Sequence, residues 1–146
     1  MPRQAAQRDL LGRPLRRPPP APEFHLHVLV ADVLRRWAMP GWRWTHMPLG
    51  EERPSQIIKC KRVSFAGARL KRMGVNPGWA DFILLSPTAV AHFLELKRRG
   101  ETLSEAQEDF ANWCVEHRAP FVATDDFRVA LATLKDWGAV RRSIHA

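Results

Sequence analysis

The stretch DFILLSPTAVAHFLELK, Asp81 to Lys97, constrains this chain more than any other. Two apolar runs, DFILLS and VAHFLELK, are rich in branched and aromatic residues and are separated by the three residues Pro87 to Ala89. Such runs joined by so short a turn predict an antiparallel hairpin. Side chains alternate along a strand, so Asp81, Ile83 and Leu85 share one face. Ala91, Phe93, Glu95 and Lys97 share one face of the second strand. A three-residue turn places Ser86 opposite Val90, Ile83 opposite Phe93 and Asp81 opposite Glu95. A turn of another length shifts that register. Directly paired residues have Cβ atoms roughly 4.5–5.5 Å apart. Two carboxylates that close repel unless a cation lies between them.

The flanking elements set the fold class. Residues 1–22 hold five arginines, one aspartate and six prolines, the composition of a disordered basic arm. Such an arm is either a phosphate-contacting segment or a solvated tail. From Glu23 to Met39, Leu26, Leu29, Val30, Val33, Leu34 and Trp37 form an apolar stripe at helical spacing, closed by Pro40-Gly41. Glu23, three and seven residues before Leu26 and Val30, points along that stripe. GWRWTHMP alternates as a strand with Trp42, Trp44 and His46 on one side. The later part of Gln56 to Met73 reads as helix, with Val63, Ala66, Leu70 and Met73 in phase and Gly74 closing it. NPG then makes a turn. Beyond the hairpin, Ser104 and Gln107 fit an S-x-x-Q capping box opening a helix to His117. FVAT is a short buried strand, and an aspartate caps a last helix ended by Gly138. The order α β α β β α β α predicts an α/β or α+β sandwich, α/β being the reading adopted, with a mixed central sheet flanked by helices, in one domain over residues 23–146.

Charge narrows the partner. The formal net charge is +8 and the isoelectric point about 10.7, a balance that favours a polyanion. Between Arg53 and Arg99 there are ten basic residues: Arg53, Lys59, Lys61, Arg62, Arg69, Lys71, Arg72, Lys97, Arg98 and Arg99. The only acids in that stretch are Asp81 and Glu95. A generic solvated surface intersperses its signs. A lone acidic pair ringed by bases is the arrangement of a metal-dependent site acting on a phosphate backbone. Carboxylate oxygens suit Mg²⁺ or Mn²⁺, and a lysine beside them can orient or activate water. For E-x-K taken alone, a plain strand-end salt bridge is the simpler account. Cys60 and Cys114 stand in no metal or disulfide pattern. No run is long enough to span a membrane, and the N-terminus lacks a signal-peptide core, so a cytoplasmic protein is expected.

These residues resemble the VRR-NUC domain, a branch of the PD-(D/E)xK nuclease superfamily. The resemblance rests on GVNPGWAD from Gly74 to Asp81, ELK at 95 to 97, Gln107 on the next helix, Glu23 on the first, and HMPLGEER upstream. It covers about Glu23 to Gly138. Ala80 stands where other branches carry proline, and His27 where the first helix often carries glutamine. The resemblance implies a restriction-endonuclease-like core. It implies that Asp81, Glu95, Glu23 and the backbone carbonyl of Leu96 hold Mg²⁺ or Mn²⁺. It implies that Lys97 positions or activates water and that Gln107 supports the site. The implied activity is endonucleolytic hydrolysis of DNA, branched DNA such as Holliday junctions included, by a homodimer. A catalytically silent nucleic-acid-binding module, an RNA-cleaving nuclease of the same fold and a basic structural protein are the alternatives. Trp79, just before Asp81, reads either as a base-stacking platform or as core. His27 and His46 read as packed or solvated residues ahead of functional ones.

Overall fold

The computed structural model describes residues 23–48, 56–58, 61–63 and 65–144. Residues 1–22, where a basic arm is expected, and the basic residues Arg53 and Lys59 lie outside them. Ten elements follow in order: α1 (Glu23–Trp37), β1 (Arg43–His46), β2 (Gln56–Ile58), β3 (Lys61–Val63), α2 (Phe65–Arg72), β4 (Phe82–Leu85), β5 (Ala91–Leu96), α3 (Glu105–Glu116), β6 (Phe121–Thr124) and α4 (Phe127–Asp136). The main sheet has the order β1-β4-β5-β6. β4 is antiparallel to β1 and β5, and β6 runs parallel to β5. The sheet is therefore mixed, in a mixed α/β fold.

The hairpin holds the expected register. Ile83 faces Phe93 and Phe82 faces Leu94. Ser86 N–H donates to the Val90 carbonyl at 2.9 Å, and Ala89 N–H donates to the Ser86 carbonyl at 2.8 Å. Ala89 takes a left-handed φ of 62°, as the last residue of a three-residue hairpin loop does.

Each sheet face buries its own cluster. Phe82, Leu84, Leu94 and Leu96 point to one side and pack with Val30 and Leu34 of α1 and Ala130, Leu131 and Leu134 of α4. Phe93 points to the other, where Ala80, Cys114, Phe110 and Phe121 surround it beneath α3. α4 is capped by Asp126, whose carboxylate accepts Arg128 N–H at 2.7 Å. Gly138 ends it at φ 73°.

Between β1 and β4 the structure departs from the sequence reading. Residues expected to lead straight into a helix instead form a two-stranded hairpin, with Gln56 opposite Val63. Val63 therefore belongs to a strand and not to the helical phase assigned to it. Helix α2 starts at Phe65 and has no buried residue. FVAT is half-buried rather than buried, because β6 is the edge strand of the sheet.

Candidate functional site

Asp81 lies one residue before β4, where the ladder to β5 gives out. Its carboxylate takes over from the backbone: Oδ2 accepts Leu96 N–H at 2.8 Å. Glu95 replies across the strands, its Oε2 accepting Asp81 N–H at 3.2 Å. Each carboxylate thus binds an amide of the other strand, so the pair is locked level by the hairpin register. Asp81 is held from the other side as well, since its carbonyl accepts Met47 N–H at 2.6 Å just beyond β1.

Glu95 is 2 % exposed, although it is charged in water. Its carboxyl is pushed up to about 7, first by burial and second by repulsion from Asp81, against the pull of Lys97. The Lys97 ammonium stands 2.9 Å from Glu95 Oε1. It also donates to Gln107 Oε1 at 2.6 Å. Gln107 Nε2 donates to Glu95 Oε1. The three side chains close a ring on the α3 side of the sheet.

Gln107 also completes the capping box. Its Oε1 accepts Ser104 N–H at 2.9 Å, and its own N–H donates to Ser104 Oγ at 3.4 Å. The capping contacts and the contacts to Lys97 and Glu95 coexist on one side chain. They also fix the amide: two donors converge on Oε1, so Nε2 must point at Glu95.

The NPG turn positions this ring. Gly78 has φ +92°, and a Cβ there would run into the Ala106 carbonyl, 2.6 Å from its carbon. Only glycine lets the turn press against the start of α3. Trp79 stacks on Phe110 at 4.9 Å and meets Phe93 edge-on at 6.2 Å. Half of it packs, and it remains 41 % exposed. A cleft of about 350 Å³ is lined by Lys97 together with Glu101, Leu103, Thr124 and Asp125.

Asp81 has a second set of neighbours that sequence reasoning did not assemble. His27 Nε2, from α1, stands 3.2 Å from Asp81 Oδ2. His46 ends β1 opposite Phe82. Its ring lies 4.9 Å from that of His27. One ligand atom from each of His27, His46 and Asp81 lies within 4.8 Å of the others, the only such group among the described residues. Two signals were in the sequence: alternation, which put His46 on the Trp-bearing side of its strand, and the resemblance, which set His27 where the first helix often carries glutamine.

The remaining expected residues divide. Arg69, Lys71 and Arg72 are exposed on α2, and Arg98 and Arg99 follow β5. Lys61 and Arg62 lie on β3. Glu23 opens α1, but its side chain, like those of Lys61 and Arg62, lies outside the described residues, as do Arg53 and Lys59 altogether. Among the described residues no helix is long and apolar enough to cross a membrane. No family model, curated protein or solved structure matches the chain.

Proposed function

We propose that the chain is a metal-dependent endonuclease that hydrolyses DNA phosphodiester bonds, with a restriction-endonuclease-like core of the VRR-NUC kind. The carrying observation is the joined set Asp81, Glu95, Lys97 and Gln107 at the end of the hairpin. A strand-end salt bridge needs no second carboxylate and no glutamine tethered to both partners. The residues suit Mg²⁺ or Mn²⁺: burying Glu95 beside Asp81 leaves a repulsion that a divalent cation relieves. Asp81 and Glu95 would hold it, with the Leu96 carbonyl and Glu23 contributing as the resemblance implies. When bound, the cation supplies charge neutralisation at phosphorus and acidifies water.

The chain's own groups supply the rest. Gln107 orients the Lys97 ammonium toward Glu95 and so toward the cation site. From there Lys97 can orient water or stabilise charge as it develops on the phosphoryl oxygens. The basic residues of 53–99 attract the backbone. The resemblance extends the proposal to branched DNA and to a homodimer, whose two sites suit a symmetric junction.

The test is cleavage of linear duplex, flap, four-way junction and RNA by the purified protein in Mg²⁺, Mn²⁺ or EDTA. Metal-dependent cutting of DNA is expected. Lys97→Ala abolishes cleavage while DNA binding persists. Wild-type rates in both Lys97→Ala and Asp81→Ala would sink the assignment. Preferential cutting of RNA would transfer the same site to the alternative substrate.

A further inference from the structure

We propose that His27, His46 and Asp81 form a nitrogen-rich site for a borderline divalent transition ion of the Zn²⁺ or Co²⁺ class. The three come from separate parts of the chain: the second turn of α1, the end of β1 and the residue before β4. Packing converges them at one point. Phe82, fully buried, is the floor, with the His27 ring stacked on it at 5.9 Å and the His46 ring tilted against it at 5.2 Å. That floor limits how far either imidazole can turn.

The geometry is near that of a filled site. Ligand atoms about 2.0–2.2 Å from one ion stand roughly 3–3.5 Å from each other. The His27–Asp81 separation of 3.2 Å already lies in that range, and all three atoms lie within 4.8 Å. Small rotations close the remainder. The carboxylate is pre-oriented, since the same Oδ2 also accepts Leu96 N–H at 2.8 Å. Metal-bound carboxylates are held in this way by backbone or side-chain donors. Side-chain exposures of 15 % for His27 and 13 % for Asp81 keep the site shielded yet open to an entering ion.

Donor chemistry selects the ion. Two imidazoles and one carboxylate suit Zn²⁺, Co²⁺, Fe²⁺ or Ni²⁺, whereas Mg²⁺ and Ca²⁺ prefer oxygen. Three protein ligands also leave coordination positions open, as in catalytic rather than structural zinc sites. The site shares Asp81 with the proposed nuclease centre but lies toward α1, whereas Glu95, Lys97 and Gln107 lie toward α3. It does not depend on the nuclease reading: a chain that cuts no DNA still binds the ion.

Full-length protein stripped with EDTA is titrated with Co²⁺ by absorbance and with Zn²⁺ by calorimetry, both in excess Mg²⁺. One ion per chain is expected, not displaced by Mg²⁺. His27→Gln and His46→Gln each weaken binding by more than about 100-fold, beyond the 10–100-fold cost of losing an outer-shell partner. His25→Gln, an exposed position on α1, leaves it unchanged. Melting temperatures in EDTA, equal to wild type for the three histidine variants, show that their folding is intact. Should a variant fail to fold, histidine NMR shifts in the wild type replace it: Zn²⁺ must move His27 and His46 and leave His25 in place. The proposal is overturned if the wild type takes up neither ion in Mg²⁺. It is overturned equally if both glutamine variants bind as wild type, or if Glu95→Gln alone removes binding.

Discussion

At the level of single residues, Glu95 sets a pH dependence with a definite sign. Burial and Asp81 raise its carboxyl from the ordinary 4.5 to about 7. The folded protein therefore binds more protons than the unfolded chain between those values. Stability of the metal-free protein falls as pH rises across that window, and what protonated Glu95 contributes is lost above about 7. Thermal melts in EDTA from pH 4 to 8 check this: the wild-type midpoint declines through the window relative to Glu95→Gln, which carries no such titration. A cation at the carboxylate pair requires ionised Glu95. The proposed cleavage activity accordingly rises with pH on a limb near 7, moved lower by higher metal concentration. A limb that ignores metal concentration would place the titration elsewhere.

Among the elements, the β4–β5 hairpin and the turn before it position the site, and here legibility from sequence varied with the range of contact. The hairpin register was legible because a three-residue loop leaves little freedom. The Ser104–Gln107 capping box was legible for the same reason, being local. The β2–β3 hairpin was missed because its strands are three residues each, too short for alternation to show. The approach of His27 and His46 to Asp81 was missed because it depends on how α1 crosses the sheet and how β1 pairs with β4. No local pattern encodes either. Gly78 was legible as a turn residue, but not as the contact between the turn and α3. Two glycines in one loop separate these effects. Gly78→Ala faces a left-handed φ and a clash with Ala106, and is expected to cost about 2–4 kcal/mol. Gly74→Ala has a similar φ of +89° but open space around it, and is expected to cost about 1–2 kcal/mol. Urea midpoints rank them; equal losses would mean that strain alone matters and that the seating on α3 does not.

For the whole molecule, the decisive feature is how charge is distributed over the fold. The net +8 is not spread evenly, because the stretch from Arg53 to Arg99 holds ten bases against the two site carboxylates. Three of those bases, Arg69, Lys71 and Arg72, lie on a helix with no buried residue, where Phe65 is also exposed, as is Met73 just beyond its end. A helix that contributes no core is free to be judged by its surface alone. Its charge sits in the last turn, where it also complements the helix dipole. Reversing Arg69, Lys71 and Arg72 to Glu should therefore lower the melting temperature only through the lost dipole complement, with no core disturbed, while weakening duplex binding. Counterion release makes the effect specific: the slope of log K against log salt should shrink by roughly one for each phosphate that is no longer neutralised. Lys97→Ala, by contrast, removes a cation held 2.9 Å from Glu95 and committed to the site. It should change the slope little while removing cleavage. Fluorescence anisotropy of labelled duplex across a salt series distinguishes the two variants. If the α2 reversal leaves both affinity and slope intact, the backbone is bound by another face, and the basic stretch owes its charge to something other than nucleic acid.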